Sequence, residues 1–353
     1  MNNRLVGIDI LRGISICLMI FINLFDETAL PRLLYSAKGQ NIDFWVTACV
    51  PNIFVFLMGF FFIIANKFRV VGLFKKGIYI LFLGYLLNIV RYPVIMYLAD
   101  MYTSVGEAYA ANSYYVHMVD IYIFVGYACL LIIPFSFLPQ YYPLYFCLAA
   151  WVMYVSDSIV TLKSFIRLLP EDLWEYSNHL FLPAGQNVYF PMFPWLSYLF
   201  LGIACGIMYK SFTRHRFYKT VSFMGLLLTF IGYNIFFREY ANSSFQMRAD
   251  FYQHDYTVGI LLMGICLLAI PITEAMSVII PEFIKKILLF TSKNIITLYV
   301  ISWLITMWGV FSLEWQSSLS LVEVLEKSVY IYIAGLLVAF LKNKITILIS
   351  DKQ

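Results

Sequence analysis

The chain has 353 residues, of which 62% are hydrophobic and only 12% charged. Soluble domains carry about 25% charged residues, so the composition excludes a water-soluble globule and points to a polytopic membrane protein. The net charge of +4 says little until it is placed along the chain.

Apolar runs of about 20 residues read as ten spanning helices. They lie at roughly 10–25, 46–66, 77–97, 117–137, 143–161, 189–209, 220–237, 256–273, 287–310 and 326–341. No Gly-, Ser- or Pro-rich linker divides the chain, so the expected fold is all-α, a single transmembrane domain over residues 1–353. The first run lacks the small-residue cleavage site of a secretory signal and is preceded by charges, so a retained helix is expected.

That first run, "RLVGIDILRGISICLMIFIN", contains Arg4, Asp9 and Arg12. Asp9 and Arg12 lie three apart, so on a helix they share a face and can pair. Charge in a membrane span is costly, and a plain anchor has no use for it. A site at the cytoplasmic edge does.

In the third run Arg91 lies beside Asn88 and just before Pro93. Arg91 either snorkels to the outer headgroups or joins Asn88 in a buried polar patch, and both readings stay open. Asp120 enters the fourth run three residues after His117. Pro191, Pro194 and Trp195 open the sixth run, where a rigid aromatic rim at the outer interface is expected. Lys293 and Asn294 begin the apolar part of the ninth, with Lys293 able to reach cytosolic water.

Basic residues set the orientation. With the N-terminus inside, the inner segments hold Arg4, Arg12, Lys67, Arg69, Lys75, Lys76, Lys210, Arg214, Arg216, Lys219, Lys285, Lys286, Lys342, Lys344 and Lys352. The outer segments hold Arg32, Lys38, Lys163, Arg167, Arg238, Arg248 and Lys327. Fifteen against seven favours both termini in the cytoplasm.

The outer loops, 26–45, 98–116, 162–188, 238–255 and 311–325, are rich in Tyr, Asn and acidic residues. Such loops suit a polar, sugar-like acceptor, although an interfacial aromatic belt would also supply the Tyr and Trp. The six cysteines show no CxxC spacing and read as small apolar packers rather than a disulfide or zinc framework. Four histidines are present. His215 falls in the basic inner loop, while His117, His179 and His254 fall outside. His117, one helical turn before Asp120, and His254, next to Asp255, are candidate bases oriented by a carboxylate. An ordinary interfacial histidine is the competing reading for each.

"RLVGIDILRG" followed by an apolar run resembles the opening of the transmembrane acyltransferase clan. "PNIFVFLMGFFF", "VDIYIFVGYACLL", "YFPMFPWLSYLFLGIACG" and "SKNIITLYVISWL" follow in the order of the heparan-α-glucosaminide N-acetyltransferase family, which is related to acyltransferase family three. The resemblance runs from Arg4 to about Trp303 and implies an enzyme of the cell (inner) membrane. Such an enzyme moves an acyl group, with acetyl expected for this chain, from cytosolic acyl-CoA to an extracytoplasmic sugar or envelope glycan.

Carried onto this chain, Arg4, Asp9 and Arg12 fall on the opening motif, and Asp120 on a short Asp-Ile-Leu motif. Pro194, Trp195 and Gly202 fall on the Pro-Trp stretch, and Asn294 and Tyr299 on the Asn…Tyr stretch. The expected donor site is then Arg4, Asp9 and Arg12, with Lys75 and Lys76 on the same inner side for the CoA phosphates. The expected acceptor side is Arg91, Asp120, Trp195, Asn294 and Tyr299, and the candidate catalytic bases are His254 and His117. Acyl-CoA is a co-substrate; no permanently bound cofactor or metal is expected. Membrane lipid, acyl-CoA and a glycan acceptor are the expected partners, nucleic acid is not, and a homodimer is left open.

The chain departs from the families it resembles at three places. Acyltransferase family three carries a histidine where this chain has Asn23. The glucosaminide acetyltransferases carry one in the first outer loop, where "DETALPRLLYSAKGQNIDFW" has none. Many members have another three residues after Tyr299, where Ser302 stands. Two other functional classes therefore stay open, a catalytically inactive partner subunit and a transporter or flippase of a small or lipid-linked solute.

Overall fold

Inside lipid every backbone amide must be satisfied within its own segment, so long apolar runs fold as helices. The computed structural model describes residues 5–138, 140–157, 180, 181, 189–240 and 256–350. The described chain runs through α1 (Val6–Thr28), α2 (Ala37–Ile64), α3 (Val70–Ile89), α4 (Val105–Val116), α5 (Ile121–Leu131) and α6 (Tyr142–Asp157). It continues through α7 (Met192–Ser211), α8 (Arg214–Tyr240), α9 (Tyr256–Ile279), α10 (Glu282–Lys293), α11 (Ile295–Ser312) and α12 (Leu321–Ser350). An isolated bridge pairs Ala29 with Leu319, and no strand occurs among the described residues.

Seven of these helices are long and apolar enough to cross a membrane. Three shorter apolar helices, Val50–Ile64, Ile121–Leu131 and Tyr142–Ser156, fall on the second, fourth and fifth expected runs. The protein is an all-α, multi-pass membrane protein.

Three details differ from the expectation. The fourth run becomes helical at Ile121 rather than near residue 117, because Asp120 caps it. The third run passes through a wide π-helical turn, Val90–Val94, before a last α-turn at Ile95–Leu98. Pro93 lies inside that turn and brings no N–H to the helical ladder. The ninth run is interrupted at Asn294, which divides α10 from α11.

The chain folds as two compact units, Met1–Val50 with Leu87–Val116 and Thr273–Gln353, and Pro51–Leu86 with His117–Ile272. In the first, α1 meets α10 closely at Gly13, where an added Cβ would stand 2.5 Å from the Leu288 carbonyl oxygen. The amide of Leu319 donates to the Thr28 carbonyl at 2.9 Å and that of Leu30 to the Leu319 carbonyl at 2.9 Å, tying the end of α1 to the start of α12. In the second unit α7 is buried along most of its length. Gly202 and Gly206 on α7, and Gly59 on α2, let the two backbones touch, as small residues at four-residue spacing do between membrane helices.

Candidate functional site

In the first unit, α1 carries Asp9 and Arg12 one turn apart. The Arg12 guanidinium lies 3.6 Å from Asp9 Oδ1, and both side chains are partly buried. Ser292, near the end of α10, donates its hydroxyl to the same oxygen at 3.3 Å. The next residues end the helix. Asn294 leaves helical geometry at φ −114 and ψ 24, and its Nδ2 donates back to the Phe290 carbonyl at 2.9 Å. Its Oδ1 accepts from Asn343 Nδ2 on α12 at 3.2 Å. The Thr291 and Tyr332 hydroxyls share a hydrogen bond of 2.6 Å.

Polar side chains of α1, α10 and α12 thus converge around a helix break, joining Asp9 and Arg12 to Asn294 through its neighbour Ser292. A carboxylate that holds a guanidinium in place presents the remaining N–H donors to an anion, and a planar guanidinium suits phosphate. Ser292, Thr291, Tyr332 and Asn343 escape sequence reasoning. The short polar run "TSKN" between apolar residues is the only local hint of them.

Gly13 holds this junction together. Gly13→Ala should push α10 away from α1 and lengthen the Asp9–Ser292 contact. We expect a loss of about 1–3 kcal/mol in folded-state stability, the usual cost of overpacking. Thermal unfolding in detergent measures it, and an unchanged midpoint would show that the helices can part there at no cost.

Also in the first unit, Arg91 is 0% exposed. Its guanidinium carbon lies 4.5 Å from the centroid of the Trp303 ring and 5.0 Å from that of Tyr92. Neighbouring Asn88 is equally buried and donates from Nδ2 to the Val116 carbonyl at 3.0 Å. Of the two open readings the buried polar patch is the one realised, and Arg91 does not snorkel. Tyr299, one helical turn before Trp303 on α11, is buried with its ring 6.4 Å away. Arg91 and Tyr299 therefore meet the same indole. A desolvated cation over an aromatic face gains about 2 kcal/mol, which offsets part of the cost of burial.

In the second unit, Asp120 Oδ1 accepts from the amides of Tyr122 at 3.0 Å and Ile123 at 3.1 Å, making it the N-cap of α5. His117 stands exposed in the turn before it, its ring 6.4 Å from Tyr85. The helical turn expected to carry both residues is absent, because an aspartate at this position starts a helix rather than continuing one. Trp195 is fully buried, edge-on to Phe190 at 4.7 Å, and so belongs to the interior rather than to an aromatic rim. The amide of Phe190 donates to the Val119 carbonyl at 3.3 Å, which brings the segments of Trp195 and Asp120 together.

Lys75 is exposed, while Lys76 places its ammonium 4.5 Å from the centroid of the Phe62 ring. In the segment 98–116, Glu107 is held below the usual carboxylate range by the hydroxyl and then the amide of Thr103. It serves the start of α4, as an acid near a helix N-terminus commonly does. Arg4, His179 and His254 lie outside the described residues.

The sequence model of one family, described as heparan-alpha-glucosaminide N-acetyltransferase, catalytic, matches residues 4–240, two thirds of the chain. The chain belongs to this family. A search of curated proteins finds no match. The family match spans α1 to α8, so in this heparan-α-glucosaminide N-acetyltransferase relative it takes in Arg4, Asp9, Arg12, Lys75, Lys76, Arg91, His117, Asp120 and Trp195. His254, Asn294 and Tyr299 lie beyond it. Asn294 nevertheless stands two residues from the side chain that contacts Asp9.

Proposed function

We propose that this protein is an integral-membrane acyltransferase. It takes an acyl group, acetyl by preference, from cytosolic acyl-CoA and delivers it to a hydroxyl or amine of an extracytoplasmic sugar or envelope glycan. The observation that carries this reading is the match to the acetyltransferase family over residues 4–240. The charged pair Asp9–Arg12 inside the first span of that region supports it. In the reaction a base takes the acceptor's proton and the acceptor attacks the thioester carbonyl. The carbon–sulfur bond breaks, a carbon–oxygen or carbon–nitrogen bond forms, and CoA leaves as a thiolate that is then protonated.

In this scheme both termini are cytoplasmic. Arg12, steadied by Asp9, meets the CoA phosphates. Arg91 and Tyr299, which meet the same indole, shape the acceptor side, while Asn294 belongs with the Asp9–Arg12 cluster. The test is transfer of radiolabelled acetyl from acetyl-CoA into an envelope fraction by membranes containing the protein. Arg12→Gln should raise the KM for the CoA thioester about tenfold or more, since a charged hydrogen bond contributes roughly 1.5–3 kcal/mol. Transfer with an unchanged KM in a folded Arg12→Gln protein would remove Arg12 from the donor site. Uptake of a solute into vesicles with no acyl transfer would replace the enzyme reading with a transporter.

A further inference from the structure

Helix α10 lies between α9 and α11, two helices each long and apolar enough to cross a membrane. The chain finishes one span and begins the next, so the twelve residues Glu282–Lys293 sit at one face of the bilayer. At 100° per residue they divide into three strips. Leu288, Thr291 and Ser292 form the strip that meets the protein: Leu288 abuts Gly13, Thr291 bonds Tyr332 and Ser292 bonds Asp9. Phe283, Ile287 and Phe290 form a second, apolar strip, with Phe283 66% and Ile287 42% exposed. Glu282, Lys286 and Lys293 form a third beside it, all exposed. The end of α9 extends the apolar surface, with Val278 84% and Ile279 81% exposed.

We propose that α10 is an interfacial helix that docks on anionic phospholipid: Phe283 and Ile287 sink among the acyl chains while Lys286 and Lys293 meet the headgroup phosphates. An apolar strip running alongside a cationic one matches the boundary between acyl chains and phosphates, whereas a protein groove would have to cover the lysines as well. Lys285 is not needed for this contact, because it pairs with Glu282 at 3.0 Å. The same helix holds Asp9 through Ser292, so the lipid contact also fixes one wall of the α1 cluster.

Two measurements on the full chain in nanodiscs test the proposal. In the first, native mass spectrometry counts phosphatidylglycerol retained from an equimolar mixture with phosphatidylcholine. The double variant Lys286→Gln, Lys293→Gln should lose the preference for phosphatidylglycerol by about fivefold per lysine. An unchanged preference would overturn the headgroup contact.

In the second, the six cysteines are replaced by alanine and single spin labels are placed by Phe283→Cys, Ile287→Cys and Lys286→Cys. The first two labels should relax with oxygen and the third with a water-soluble nickel chelate. Nickel access at Phe283 and Ile287 would overturn the insertion. Spin–spin broadening between labels at Phe283 would show that a second copy of the chain covers the strip, which also overturns it. The mass-spectrometric arm keeps the native cysteines, so it decides the matter even if the cysteine-free chain folds poorly.

Discussion

Gly202→Leu should leave little folded protein in the membrane. Gly202 lies on α7 with the Phe56 carbonyl oxygen directly against it, and even a Cβ would overlap that oxygen. The obstacle is backbone, so no rotamer change can relieve it. Gly206, one turn on, faces the Phe60 carbonyl and the Ile63 side chain, so α7 cannot roll to escape. Overpacking costs about 1–3 kcal/mol where side chains can shift, and a leucine between two backbones belongs at or above the top of that range. Against a total stability of about 5–15 kcal/mol this is a large fraction. Monodisperse protein after detergent extraction and its thermal midpoint are the measurements. A normal yield with an unshifted midpoint would mean that α2 and α7 do not pack through these glycines.

His254→Ala should reduce acetyl transfer by about 10²–10⁴-fold, the usual contribution of a general base, while leaving folding and CoA binding intact. A base near neutral pKa is needed to take the acceptor's proton, and the chain has four histidines in all. In the sequence His254 adjoins Asp255 within the polar stretch that precedes Tyr256. His117 is the competitor and stands exposed just before the α5 cap. Near-normal turnover in His254→Ala with an inactive His117→Ala would transfer the role to His117. Full activity in both would eliminate base catalysis by either histidine.

The parts of the site that were legible in the sequence are local ones. Asp9 and Arg12 pair because they are three residues apart on a helix, and that spacing holds wherever the helix lies. The spacing puts His117 and Asp120 on one helical turn, whereas the structure makes Asp120 a cap. Its side chain closes back on the amides of Tyr122 and Ile123, and this local bond moves the start of the helix past His117. Arg91 could be flagged as a costly charge, but not placed. Its burial depends on Trp303, more than two hundred positions away in the chain, and no spacing rule connects them. Trp195 read as a rim residue because prolines precede it, yet Phe190 and the packing of α7 enclose it.

The sequence by itself determined that the protein is an all-α membrane protein, where its apolar helices fall and that Asp9 meets Arg12. Each of these follows from the length of an apolar run or from the pitch of one helix. Only the tertiary structure decided that Ser292 bonds Asp9, that the ninth run breaks at Asn294, and that Arg91 lies over the ring of Trp303. Those contacts join residues remote in sequence, and they form because α1 carries a glycine where α10 must approach and because buried polar groups must find partners outside their own helix.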